Sequence, residues 1–210
     1  QYSSDARRLR MWGLAIGVAI IGTQIAFHFD HLDLLQTAYL DRVWNPVATA
    51  IGGLMFGYGM ALSGNCGYGA LARLGGGDIR SFLIVIVMGL SAYFVMSGPL
   101  AHTRVWLFPV ETDAITGQGF GQLFENLIGV SPVISGWIIG GGLILIAISN
   151  RHMLSSWKFI FWGVIVGLSI VSGWVGTNWV AMNGFNAEPI ETHSFAAPIG
   201  DTIFYSMTAS

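Results

Sequence analysis

A single cysteine, Cys66, lies in a glycine-rich segment where an ordinary loop would carry polar residues. The candidate ligand-contacting residues of this segment, the cysteine bend, are Gly64, Asn65, Cys66, Gly67, Tyr68 and Gly69. A thiol is a weak hydrogen-bond donor, and backbone N–H groups at the start of a helix bind anions without a formal positive charge. The segment therefore predicts a place where a negatively charged solute meets a thiol and backbone amides.

The residues after the cysteine bend predict a short helix and a second turn. Residues 70–74 are strong helix formers, and Gly75 is expected to end that helix as its C-cap. Asp78 is then a candidate N-cap for the next helix. Arg73 and Arg80 favour an aqueous location for this far end of the segment and act as orientation signals.

Composition decides what kind of protein positions these residues. The chain has 210 residues, of which 53% are hydrophobic and 10% are charged, with a net charge of −2 and a mean hydropathy of +0.64. These values exclude a soluble globule, a disordered chain and a nucleic-acid-binding domain, and one cysteine excludes a disulfide scaffold. We predict an all-α polytopic membrane helix bundle that forms a single membrane-embedded domain over residues 1–210.

Long runs without charged residues or histidine mark the predicted membrane spans. A bilayer core of about 30 Å requires about 20 mostly apolar residues in a helix. Five such runs cover residues 11–27, 47–63, 82–97, 132–149 and 159–182. A sixth run, residues 195–210, contains Asp201 and is interpreted as an incomplete or interfacial helix. The sequence thus predicts five to six transmembrane helices.

The connecting segments alternate in charge. Seven of the 9 basic residues fall on one side of the predicted spans, and nine of the 11 acidic residues fall on the other. Because lysine and arginine are enriched in cytoplasmic loops, the N-terminus is predicted to be cytoplasmic.

The membrane setting leaves two interpretations of the cysteine bend. Non-helical backbone at membrane depth is tolerated only where it is buried in protein or lines a wet cavity. The first interpretation is a re-entrant half-helix whose N-terminus, near residues 66–69, lines a solute pathway. The second is a glycine-rich cytoplasmic loop in which Arg73 and Arg80 only orient the chain.

The residues around Cys66 resemble the signature of the YeeE/YedE sulfur-transport family. In that signature a small-Gly-x-Cys-x-x-Gly bend precedes an Arg-Leu-Gly-x-Gly segment, and residues 63–69 and 73–77 match the two parts in order and spacing. The resemblance implies an hourglass-shaped helical protein of the bacterial inner membrane that is built on a pseudo-repeat and takes up thiosulfate or related species. It also implies that Cys66 contacts the substrate and that the glycines beside it shape the constriction.

Family members carry a second glycine–cysteine bend, whereas Cys66 is the sole cysteine of this sequence. The second half lies outside these 210 residues, or belongs to another chain, or has been lost together with transport. One hypothesis is therefore a transporter or channel for a small sulfur-containing anion, with Cys66 at a central constriction. The alternative is a non-transporting accessory or structural subunit of a larger membrane complex. The expected partners are the anion and the lipid bilayer, and further membrane subunits or an oligomer are candidate partners.

Other features predict neither catalysis nor a cofactor. The sequence has no phosphate-binding loop, no dinucleotide fingerprint and no nucleophile–base motif, which argues against an enzyme. His28 and His31 are the one close pair of histidines, and no third metal ligand is evident beside them. Three Gly-x-x-x-Gly pairs, at residues 53/57, 136/140 and 163/167, predict close helix contacts inside the fold or with a partner subunit.

Overall fold

The computed structural model describes residues 7–29, 32, 37, 43–109, 119–184 and 190–208. Within them the helices are α1 (Arg7–His28), α2 (Pro46–Ser63), α3 (Gly67–Gly75), α4 (Ile79–Met96), α5 (Leu100–Leu107), α6 (Phe120–Ile128), α7 (Pro132–Ile148), α8 (Arg151–Leu154), α9 (Trp157–Asn183) and α10 (Ala197–Thr208). One isolated parallel bridge joins Thr37 and Ile190. The predicted all-α class is confirmed.

Four helical segments of the described chain are long and apolar enough to cross a bilayer. They are Arg7–His28, Pro46–Gly75, Ile79–Met96 and Trp157–Asn183. The second of them includes the break between α2 and α3. The apolar helix α7 is shorter, with 17 residues. The five predicted runs lie within α1, α2, α4, α7 and α9 or end one residue beyond them.

The chain divides into two compact units. Unit 1 comprises the described residues within Gln1–Val43 and Thr112–His193. In it α1 packs against both α7 and α9. Leu14, Ala147 and Met153 form a buried cluster at these contacts. Unit 1 is therefore a bundle organised around α1.

Glycines make the helix contacts of unit 1 possible. A Cβ at Gly17 would lie 2.8 Å from the carbonyl oxygen of Gly140, and a Cβ at Gly167 would lie 2.8 Å from that of Ala15. Real Cβ atoms do not come so close, so the α1–α7 and α1–α9 backbones meet where side chains are absent. The predicted internal contacts of the 136/140 and 163/167 pairs are confirmed.

Unit 2 comprises the described residues within Trp44–Glu111 and Ser194–Ser210. In it α3 and α10 both pack against α4. Gly89 of α4 lies under Ile199 of α10, and the rings of Tyr93 and Phe204 stack with centroids 5.3 Å apart. Helix α4 thus supports α3, the helix that follows the cysteine bend.

Helix α2 differs from the other long helices because none of its residues is buried. Asn45 caps its start by accepting a hydrogen bond from the N–H of Ala48 at 3.0 Å, and Pro46 follows in the first turn. A Cβ added at Gly53 or Gly57 would meet no atom within 4 Å. For this pair, the predicted contact inside the fold is wrong within the described residues. The partner-subunit alternative stays a prediction.

The predicted end of the short helix after Cys66 is wrong by one residue, and the structure defines the length of the sixth apolar run. The short helix includes Gly75, and its cap is Gly76, because the chain continues one residue further before Gly77 turns with a left-handed φ of 90°. The sixth apolar run forms α10, whose 12 residues reach about 18 Å, less than a bilayer core. The predicted N-cap Asp78 is confirmed.

Several residues used in the charge and histidine arguments lie outside the described residues. They are Asp30, His31, Asp33, Asp41, Arg42, Glu111, Asp113 and Glu188.

Candidate functional site

A left-handed glycine turns the chain at the end of α2. Gly64 has a φ of 74°, and its N–H donates to the carbonyl oxygen of Met60 at 3.0 Å. The Ser63 hydroxyl donates to the carbonyl oxygen of Asn65, 2.7 Å away. A side chain at Gly64 would crowd the backbone in this conformation, so glycine is favoured at the turn. The apolar helix therefore stops here although the sequence remains apolar.

Cys66 is the N-cap of α3. Its backbone is extended, its Sγ accepts a hydrogen bond from the N–H of Gly69 at 3.4 Å, and its carbonyl oxygen accepts one from Ala70 at 2.9 Å. The residue is partly exposed. Serine, threonine, asparagine and aspartate are the usual N-cap residues. A thiol in this position places a soft group at the positive end of a helix dipole.

The first turn of α3 offers backbone donors. Gly67 and Tyr68 are the first two residues of α3, and N–H groups at these positions have no intrahelical acceptor. A Cβ at Gly67 would lie 2.6 Å from Sδ of Met88 on α4. Ala70, one turn later, is completely buried. The close approach to α4 therefore fixes the position of the N–H groups beside the thiol.

Asn65 has an unpaired carboxamide. Both its Oδ1 and Nδ2 atoms are buried, and neither has a hydrogen-bond partner among the described residues. The side chain lies against the first turn of α3, because a Cβ at Gly69 would be 3.1 Å from Cβ of Asn65 and 3.7 Å from its Oδ1. A buried polar group without a partner loses its hydration without compensation. Asn65 therefore holds an unused donor group and an unused acceptor at the same turn as the thiol.

Tyr68 contacts the segment before α10. Its side chain is 60% exposed, and its ring centroid lies 5.3 Å from that of Phe195 at an interplanar angle of 57°. This contact gives Tyr68 a packing role in unit 2. Its predicted role as a ligand contact stays a prediction, as do those of the other residues of the cysteine bend.

The charged residues lie at the opposite end of α3 from Cys66. Arg73 and Arg80 are exposed. The Ser81 hydroxyl and the N–H of Arg80 donate to the carboxylate of Asp78 at 3.0 and 3.1 Å, which lowers the pKa of Asp78 below its ordinary value. This cap stabilises α4 above the ordinary aspartate pKa and is lost as the pH falls through the lowered value. Arg73, the nearest of these charges, follows Cys66 by seven residues of α3, which is roughly 10 Å along the helix.

Sequence reasoning missed the residues that hold the cysteine bend in place. Met88 lies against Gly67, and Phe195 contacts Tyr68. Both are apolar residues in apolar surroundings, so no local signal distinguishes them. Within the part of the chain that the structure describes, no three His, Cys, Asp or Glu side chains form a group that could hold a metal ion.

The fold and the cysteine bend define a class: a multi-pass helical membrane protein whose second span is broken at a cysteine-capped short helix. The family model described as "Sulphur transport" matches residues 1–210, so the chain belongs to the sulphur-transport (YeeE/YedE) family. Since this is a family of transporters, the chain is not an enzyme.

The chain is similar to a protein named thiosulfate transporter TsuA, from Spirochaeta thermophila. The two are 30% identical over 135 residues, which are 61% of this chain and 41% of the relative. The chain thus spans about two-fifths of the length of the curated relative that it matches. No solved structure matches the chain.

Proposed function

We propose that this protein conducts a small sulfur-containing anion such as thiosulfate across the bacterial cytoplasmic membrane. Membership of the sulphur-transport family and similarity to a protein named as a thiosulfate transporter support this proposal. The observation that carries it is the position of Cys66, a partly exposed residue, as the N-cap of α3. The solute would pass the residues of the cysteine bend at the narrowest part of the pathway.

The donor set suits an anion with one soft end. Thiosulfate has a terminal sulfur, which matches a thiol, and three oxygens, which match backbone N–H groups. The free N–H groups of Gly67 and Tyr68 and the partial positive charge of the α3 dipole attract the oxygens without a fixed cation. A conduction site must bind strongly enough for entry and weakly enough for release. A thiol with backbone dipoles meets both needs better than an arginine clamp.

The proposed topology has five to six spans, a cytoplasmic N-terminus and α3 as a re-entrant helix. Its cytoplasmic end would carry Arg73 and Arg80, which are exposed, while Cys66 would lie part-way through the bilayer. The helices that cover the five main runs contain no Asp or Glu. Because pumps use intramembrane carboxylates as proton relays, we propose facilitated passage.

Substitution of Cys66 tests the proposal. Cys66→Ser keeps a capping oxygen at the start of α3 and removes only the sulfur, whereas Cys66→Ala removes the cap as well. Both variants should abolish uptake of labelled thiosulfate in cells that lack other uptake routes, at unchanged membrane expression. Gly141→Ala, at a position of α7 with open space, is the control and should transport normally. Full uptake by Cys66→Ser would contradict a role for the thiol.

One observation favours the second candidate function, an accessory or structural subunit. Helix α2 has no buried residue, which fits a helix that packs against other subunits. Under this alternative the protein copurifies stoichiometrically with other membrane proteins, and Cys66→Ser leaves sulfur uptake unchanged. The Cys66 experiment therefore separates the two functions.

A further inference from the structure

Two asparagines of unit 2 have opposite hydrogen-bonding states. Asn45 accepts a hydrogen bond from the N–H of Ala48 and caps α2. Asn65 has buried Oδ1 and Nδ2 atoms without a partner among the described residues. Buried amides in native proteins are nearly always paired, so an unpaired one at the start of a helix needs an explanation. A ligand that supplies the missing partner is such an explanation.

The surroundings of Asn65 favour a ligand at this place. Its carboxamide lies against the turn whose Gly69 N–H donates to Sγ of Cys66. The first two N–H groups of α3 belong to the same turn and have no intrahelical acceptor. The unpaired amide and the thiol therefore both lie beside the first turn of α3, and an anion bound at this turn would use the Nδ2 donors together with the backbone N–H groups.

We infer that the Asn65 carboxamide is the group that selects sulfur oxyanions over sulfur anions without oxygen. This inference rests on the proposed function. Amide N–H groups form stronger hydrogen bonds with oxygen than with sulfur. Nδ2 of Asn65 therefore binds a solute that carries S–O bonds more strongly than one that does not. Hydrosulfide presents no oxygen and gains little from this donor. Asn65 thus binds the oxygen atoms of thiosulfate, while Cys66 contacts its terminal sulfur.

The test compares Asn65→Ala with Asn45→Ala in the purified full chain. Uptake of labelled thiosulfate into proteoliposomes gives the KM and the maximal rate, and competition by unlabelled hydrosulfide gives the selectivity. The melting temperature in detergent, measured with and without thiosulfate, gives the stability. Asn65→Ala should raise the KM for thiosulfate about tenfold, the loss expected for one hydrogen bond to an anion. The inhibition constant of hydrosulfide should stay unchanged. The ratio of the thiosulfate KM to this inhibition constant should therefore rise by the same factor. Its melting temperature without solute should fall less than that of Asn45→Ala, because the side chain loses packing contacts but no hydrogen bond.

Asn45→Ala is the matched control with the reverse behaviour. It should lower the melting temperature, because a helix cap is removed, and leave the KM and the stabilisation by thiosulfate unchanged. The inference is overturned if Asn65→Ala behaves like Asn45→Ala, or if it keeps the wild-type KM and selectivity. If Cys66→Ser abolishes uptake while Asn65→Ala matches wild type, this inference alone fails. If Cys66→Ser transports normally, the proposed function fails first.

Discussion

The Gly-x-x-x-Gly pairs of unit 1 and of α2 have the same spacing and opposite surroundings. In unit 1, Gly140 and Gly167 each lie where the backbone of α1 comes close. In α2, Gly53 and Gly57 face open space. Small residues permit a close helix contact, but the contact exists only where a neighbouring helix presents a complementary surface. The glycine spacing therefore allows a close helix contact, and the neighbouring helix determines whether the contact forms.

Glycines also serve a second purpose in unit 2. At Gly64 the requirement is conformational, since φ is positive and the space around the residue is open. At Gly67 the requirement is steric, because Met88 occupies the place of a Cβ. Unit 1 uses glycine to join straight helices, whereas the cysteine bend uses it to break one. Changes in the first set should therefore alter stability alone, whereas changes in the second should alter transport as well.

The largest effect is expected for Gly167→Ala in α9. A Cβ there would lie 2.7 Å from Cβ of Val18 and 2.8 Å from the carbonyl oxygen of Ala15, and a backbone atom cannot rotate away. Overpacking of this kind costs about 1–3 kcal/mol. Chemical unfolding in detergent micelles, followed by tryptophan fluorescence, would measure the loss. Gly141→Ala is the matched control and should show no loss of stability, since nothing lies within 4 Å of the added methyl group. Equal stability of the two variants would contradict the α1–α9 contact.

An intermediate effect is expected where glycine has a left-handed backbone. Gly64 in unit 2 and Gly129 in unit 1 both end a helix with a φ of 74° and open space around them. Alanine at either position costs about 1 kcal/mol of backbone strain. Unfolding of Gly64→Ala and Gly129→Ala should therefore shift equally, whereas thiosulfate uptake should fall only for Gly64→Ala. Equal thiosulfate uptake by the two variants would contradict a specific role of the Gly64 turn in transport.

The amino-acid sequence predicts the elements that depend on local rules. Charge-free runs of hydrocarbon length predict the long helices to within four residues at each end. Asp78 is predicted as a cap because aspartate is a preferred N-cap residue, and its side chain accepts hydrogen bonds from residues two and three positions later. The sequence did not identify which distant residues make each contact. Nothing local distinguishes Met88 from other apolar residues, or Gly53 from Gly163, because the difference lies in the partner.

The same limit applies inside the cysteine bend. Its six candidate residues were recognisable from glycine spacing and family resemblance. The cap formed by Sγ of Cys66 and the unpaired amide of Asn65 were not, because both depend on the course of the backbone through the turn. The sequence thus predicts where solute contacts would lie, and the tertiary structure shows which side-chain groups of this segment have no hydrogen-bond partner among the described residues.

The smallest effect is expected for Gly57→Ala in α2. The added methyl group meets no atom within 4 Å, and alanine favours a helix over glycine by up to about 1 kcal/mol. Unfolding of the single chain in detergent should therefore show no loss and at most a slight gain in stability. A loss as large as that of Gly167→Ala would mean that α2 is packed as tightly as the helices of unit 1, and the contrast between the two regions would disappear. If the loss appears only in membranes and not in dilute detergent, Gly57 serves a contact with another subunit, because dilution separates subunits and leaves contacts within one chain intact.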